Sequence, residues 1–572
     1  MQREGTEPGA ATRGSATFDR RDLLAGSSFL ASLFGSSRSF AQRPTARSAR
    51  QDAARLLTQG AFGGTALEID EVVRLGAEGW LDAQIRLRHE PFVDEVETLL
   101  RRYPNEELPF DWAWWRRAMT GRDVLRQRVA FVLSQIFVIS RRSDTLFDAY
   151  LGVASYYDLL SVGAFGNFHD LLRGVALHGC MGDYLSHLNN RSSDPSQNRF
   201  PDENFAREVM QLFTIGLFEL NPDGTRQLDS QGQPIPTYDN RQITEMAKVF
   251  TGLTLAPEEE DEPIEFGGVH PELMDRPMVM FEPEHEPGPK ALLNGFVVPA
   301  GQPGMQDIED AIEHLFQHPN VGPFIGSHLI RFLVTSNPSP AYVERVASAF
   351  DNNGRGVRGD MAAVVKAVLL DDEARDPARL EDPRFGKVRE PLVRWVQLGR
   401  TFPATSPNGG FRHYGGDAAD AESVSELANF AQYPMFSPSV FNFFSPSHQP
   451  VGPIADADLV APEMEIIHSS TTISTINLFH RAILEDEYLF SHTGELTDPD
   501  PVFLDFGRER AIAEQSLTAL VDHLDLVLAH GSLSSHTRRV VLEAVTELDE
   551  VEDQVRLAVY LITCAPDYVV QR

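Results

Sequence analysis

Val124-Leu125-Arg126-Gln127-Arg128-Val129-Ala130-Phe131-Val132-Leu133-Ser134-Gln135-Ile136-Phe137-Val138-Ile139 is the stretch that decides the fold class. Its apolar residues Val124, Leu125, Val129, Val132, Leu133, Ile136 and Phe137 recur at helical spacing. The run predicts a helix buried among other helices. Upstream, Ala54, Leu57, Ala61 and Phe62 repeat the pattern, and so does Glu68–Leu87 through Ile69, Val72, Val73, Leu81 and Ile85. Downstream, helices are predicted over 145–161, 167–190, 202–217, 239–253, 307–317, 321–334, 340–350, 359–370 and 387–402, and again through 466–572. The fold expected is mainly α: a large helical unit over 52–572, with an irregular, short-stranded central insertion and long ordered loops. The irregular parts are about 218–238, 256–305 and 403–465. The first holds the turn signals Asn221-Pro222-Asp223-Gly224 and Asp229-Ser230-Gln231-Gly232 and reads as a small hairpin. Asp351-Asn352-Asn353-Gly354-Arg355-Gly356 lacks the carboxylate ladder of a calcium loop and reads as a helix-ending turn.

The first residues carry an export signal. Arg20 and Arg21 form a twin-arginine pair, Leu23–Phe34 is a moderately apolar run, and Ser39-Phe40-Ala41 offers small residues to a signal peptidase. The apolar run is too short to span a bilayer, which needs roughly 20 residues. Residues 1–41 are therefore expected to be a twin-arginine signal peptide ending at Ala41. Residues 42–51 read as a linker. The expected location is periplasmic or extracellular, with the twin-arginine export machinery as a partner and no stable membrane insertion after cleavage. That route carries folded proteins, many of them loaded with a cofactor, so a divalent metal ion is a candidate cofactor.

The chain has 83 acidic residues against 50 Lys plus Arg, a formal charge of −33. The signal region carries one net positive charge, so the mature part stands near −34. Nucleic acid needs a cationic footprint and is excluded as a partner. Anionic membrane surfaces are disfavoured for the same reason. The two cysteines, Cys180 and Cys564, exclude a disulfide framework and leave one bridge or two free thiols.

Several blocks, taken in order, resemble the domain-of-unknown-function 1800 family of exported bacterial proteins. They are Ala54–Gly63, Arg126–Phe137, Asp202-Glu203-Asn204-Phe205-Ala206-Arg207-Glu208 with its continuation to Gly216, Phe250-Thr251-Gly252, Gly386-Lys387-Val388-Arg389-Glu390-Pro391, Ser439–Phe444 and the ending Ala565–Arg572. The resemblance implies a mainly helical exported protein and no defined activity. It also suggests a partner, an exported protein of the domain-of-unknown-function 1501 family often encoded beside such proteins. Two departures stand out: Ile136 replaces a His common in that helix, and His285-Glu286 with Lys290 replaces a His-Asp pair before a Lys.

Candidate chemistry centres on the 202–217 helix. Glu203 with Arg207, and Asn204 with Glu208, are four apart and can pair on its surface. Glu203, Arg207 and Glu208 are the candidate catalytic residues. Glu203, Glu208 and His285 are the candidate metal ligands. The plainer reading is structural pairing, because Glu203 and Glu208 point about 140° apart on a helix. Glu284-His285-Glu286, between Pro283 and Pro287, could equally be a solvent-exposed acidic turn. Asp183 and His187 could pair on their helix, and His169 and His178 lie on the same stretch. Trp112, Trp114 and Trp115 read as core rather than as a sugar platform. No His-Glu-x-x-His and no Gly-x-Ser-x-Gly is present. Two functions follow as expectations: an exported acidic scaffold or partner of a co-exported protein, or a metal-assisted hydrolase of an extracytoplasmic polymer or ester.

Overall fold

The computed structural model describes residues 49–104, 108–259, 261–407, 409–412, 430–485, 488–490 and 501–572. The signal residues Arg20, Arg21 and Ala41, most of the expected linker and part of the 403–465 loop lie outside the described residues. The protein is mainly α, with short strands in small sheets. The first described helix, Ala49–Gly60, opens inside the expected linker. Arg50 pairs with Asp70 at 2.9 Å, and Gln51 reaches the Gly531 carbonyl at 3.4 Å, so tertiary contacts hold this turn. The predicted Glu68–Leu87 helix is two helices, Ala66–Leu75 and Ala77–Ile85. Gly76, at φ 73°, separates them, a conformation side-chain-bearing residues rarely adopt. Thr65 and Glu68 cap the first of these reciprocally.

Val124–Ser134 is helical and buried along its whole length. Burial extends to its polar residues. Arg126 donates to the Ser161 and Leu87 carbonyls, and Arg128 donates to the Phe332 carbonyl at 2.9 Å. Trp114 and Trp115 pack edge-on against each other, and Trp114 and Phe131 are neighbours in the same core. All three tryptophans of the cluster are buried, as expected. Most of the buried apolar residues from Ala53 to Tyr568 form one contiguous cluster.

The expected irregular segments have this form. Bridges Phe218↔Pro236, Leu220↔Arg226 and Leu228↔Pro234 draw 218–236 into nested turns. In the central segment Leu253–Thr254 pairs with Val279–Met280, and Lys290–Ala291 pairs with Val297–Val298, both antiparallel. The helix Pro340–Asp351 ends in the expected turn, where Asn352 Oδ1 accepts from the Gly354 and Gly356 amides. The C-terminal part departs from its all-helical expectation. Tyr488–Phe490 and Val502–Leu504, rich in aromatic and branched residues that favour strands, form a three-stranded sheet with Ala404–Thr405. The chain's end is tied back to its middle by Val570–Gln571 pairing with Lys387–Val388. Cys180 and Cys564 are both buried free thiols. Among the described residues no helix is long and apolar enough to cross a membrane.

Candidate functional site

The helix expected from Asp202 runs over Asn204–Gln211, with Glu203 at its N-terminal boundary. Glu203 uses one oxygen on Arg207, at 3.4 Å, and the other on the Thr244 hydroxyl, at 2.7 Å. It therefore ties this helix to Asn240–Val249. No Asn204–Glu208 hydrogen bond is seen; the Asn204 backbone N–H donates to Asp202 Oδ1 at the start of the helix. Glu208 is buried, and its Oε2 has no hydrogen-bond partner. Burial pushes its carboxyl up, only partly opposed by Arg207.

His285 is buried rather than placed on an exposed turn. Its Nδ1 lies 2.8 Å from the Thr251 carbonyl. Its Nε2 lies 3.0 Å from Asp307 Oδ2 and 3.2 Å from Lys290 Nζ. Two glycines make room for the ring. A Cβ on Gly252 would stand 3.0 Å from the His285 amide nitrogen, and one on Gly304 would stand 2.9 Å from His285 Cγ. Glu284 and Glu286 turn the other way, toward Arg191, Arg199 and the Ser193 amide. Both ring nitrogens of His285 are thus engaged. Among the described residues no three His, Cys, Asp or Glu side chains come together to hold a metal. Glu203, Glu208 and His285 are not brought together as one metal centre: Glu203 is held by Thr244 and His285 by Thr251, Lys290 and Asp307.

His178 and His187 are likewise used internally. His178 Nδ1 accepts from the Cys180 amide at 3.2 Å, so its proton sits on Nε2. That Nε2 is 3.0 Å from Ser155 Oγ, which in turn donates to the Gly152 carbonyl. The protons run the wrong way for His178 to activate Ser155 as a nucleophile, which would need an unprotonated Nε2. His187 does not pair with Asp183, because their helix ends at Tyr184 and Ser186 adopts φ 61°. Instead its ring stacks on Phe205 at 3.8 Å and its Nε2 donates to the Ala176 carbonyl.

Burial lowers His187 to about 4 from an ordinary 6.5. Between these values the unfolded chain binds a proton that the native protein does not, so stability falls as pH drops from about 6.5 to 4. Asp525, raised by burial to about 6, acts in the opposite direction over part of that range. The thermal midpoint is expected to fall on acidification from pH 7 to 4.5, less steeply in His187→Gln. Equal slopes in the two proteins would refute the assignment.

A second polar cluster was not legible as chemistry in the sequence. Lys387 Nζ lies 2.8 Å from Glu463 Oε1, 3.7 Å from Glu390 Oε1, and 2.8 Å from the Phe332 carbonyl it shares with Arg128. Glu390 Oε2 accepts from Gln135 at 3.2 Å and from Gln432 at 2.6 Å, and Asn442 donates to Gln135 at 3.1 Å. The charged side chains are essentially unexposed. Burial raises Glu463, and the Lys387 ammonium opposes that rise. Two cations face two carboxylates, which is the condition for burying charge without an uncompensated excess. The network seats the 430–465 loop on the helical core. Ala431, Met435 and Asn442 all have positive φ along that loop.

The sequence from 55 to 570 matches the family model described as "Protein of unknown function (DUF1800)". The chain belongs to this family. No curated protein and no solved structure matches it. Within this DUF1800 protein, three of the sequence blocks quoted above meet in the Lys387 network: Arg126–Phe137 supplies Arg128 and Gln135, Gly386–Pro391 supplies Lys387 and Glu390, and Ser439–Phe444 supplies Asn442.

Proposed function

We propose that this DUF1800 protein is an exported, acidic scaffold or binding partner of a co-exported protein, acting in the periplasm or outside the cell. The observation that carries this reading is the internal use of its reactive groups. His178 and His285 spend both ring nitrogens on buried neighbours, His187 spends its Nε2 on the Ala176 carbonyl, and Glu203 holds two helices together. What the surface offers instead is charge. An open pocket near the central segment is lined by Glu258, Glu262, Glu265 and Glu272 beside His270. Such a rim suits a cationic or neutral partner. The exported protein of the domain-of-unknown-function 1501 family is the candidate, and export follows from the twin-arginine leader read in the sequence.

One feature favours the second reading, a metal-assisted hydrolase: the buried Glu208 carboxyl, whose Oε2 has no hydrogen-bond partner and whose pKa burial raises, a type of group often found at reaction centres. Elemental analysis of the mature protein, exported through an intact twin-arginine route, separates the two. The scaffold reading predicts a folded protein with no stoichiometric metal. A near-stoichiometric metal lost in Glu208→Ala would overturn it in favour of the hydrolase.

A further inference from the structure

We propose that Lys290 and Asp307 become joined by an intramolecular isopeptide bond, with His285 as the proton shuttle. The side chains of Lys290 and Asp307 are 1% exposed and that of His285 is 3% exposed. Lys290 Nζ is in direct contact with Asp307 Oδ2, and its remaining contacts are the Glu286 carbonyl and His285 Nε2. Asp307 Oδ1 is buried and accepts no hydrogen bond.

His285 completes the geometry. Its Nδ1–H is fixed on the Thr251 carbonyl, which leaves Nε2 as the acceptor. That single atom is within hydrogen-bond distance of both the nitrogen that must lose protons and the oxygen that must leave. One proton passes from the Lys290 ammonium to Asp307 Oδ2. Nζ then attacks Cγ, and His285 Nε2 takes a second proton from nitrogen and returns it to Oδ2. The Cγ–Nζ bond forms, the Cγ–Oδ2 bond breaks, and one water leaves. Nothing is oxidised or reduced, and no co-reactant is needed. The glycines at 252 and 304 let the backbone close on the imidazole. The product staples the irregular 281–298 segment to the first turn of the helix Gly304–Phe316. The Lys387 cluster lacks this arrangement, since no imidazole is among the groups that contact its lysine.

The test is mass spectrometry of a tryptic digest of the purified mature protein. Trypsin does not cut at Arg276, which precedes Pro277, so a cross-linked Lys290 leaves one peptide spanning 249–331. The expected result is that peptide, uncut after Lys290, lighter by one water and giving no separated backbone fragments from within 290–307. Lys290→Arg, which keeps the cation but cannot form this amide with a lysine nitrogen, should abolish the dehydrated species. His285→Gln should lower its yield. The wild-type digest decides the matter even if these variants fail to fold. Cleavage after Lys290 with unmodified masses would overturn the proposal. So would a dehydrated peptide beginning at Ala291, because that is an aspartyl succinimide.

Discussion

Lys387→Met is expected to destabilise the protein by about 3–5 kcal/mol, the usual result of removing one partner from a buried ion pair. The substitution removes the ammonium that lies 2.8 Å from Glu463 and 3.7 Å from Glu390. Both carboxylates would then be buried with only Arg128 to compensate them. Methionine fills much of the lysine volume, so the loss reports charge and hydrogen bonding rather than a cavity. A shift of the urea unfolding midpoint at unchanged slope checks the prediction. Adding Glu463→Met should restore part of the loss, since the pair costs more broken than absent. A midpoint within experimental scatter of the wild type would mean that the network does not seat the 430–465 loop.

Trp395→Ala is expected to cost about 3–5 kcal/mol, as for other large-to-small changes of a buried aromatic. Trp395 is fully buried on the helix Pro391–Thr401. Its ring centroid lies 5.7 Å from that of Phe430, 5.4 Å from Phe479 and 6.3 Å from Phe490. One side chain thus joins the long loop, the helix Ser469–His480 and the small C-terminal sheet. Val451→Ala provides the contrast. Val451 is fully exposed and should change stability by no more than about 0.5 kcal/mol. Similar midpoints for the two variants would contradict the packing described for this core.

The helical fold was legible because it rests on periodicity, which survives without tertiary context. Val124–Ile139 announced itself through seven apolar positions, and its Val124–Ser134 part is a buried helix. Its arginines were not legible. Arginine is a mostly exposed residue type, whereas here Arg126 and Arg128 are buried and spend their guanidinium groups on distant carbonyls. The same limit hid the Lys387 network. Lys387 and Glu390 fall in the expected 387–402 helix, which in fact begins at Pro391, and their burial depends on Glu463 arriving from more than seventy positions away. The 281–290 segment failed in a related way. Prolines and glutamates make Glu284-His285-Glu286 look solvated, but Asp307, Thr251 and two close glycines draw His285 inward. The strands at 488–490 and 502–504 escaped because three-residue runs carry too little alternation to register.

The proposal that this protein works by binding a co-exported protein is tested most directly by co-expression with an exported protein of the domain-of-unknown-function 1501 family. Both are purified from the periplasm through a tag on the partner alone. The account predicts a stoichiometric complex that weakens with salt, and weakens further when Glu258, Glu262, Glu265 and Glu272 are changed to Lys. Failure of the two proteins to associate at low salt, with the mature DUF1800 chain alone hydrolysing an extracytoplasmic polymer or ester and losing that activity in Glu208→Gln, would contradict it.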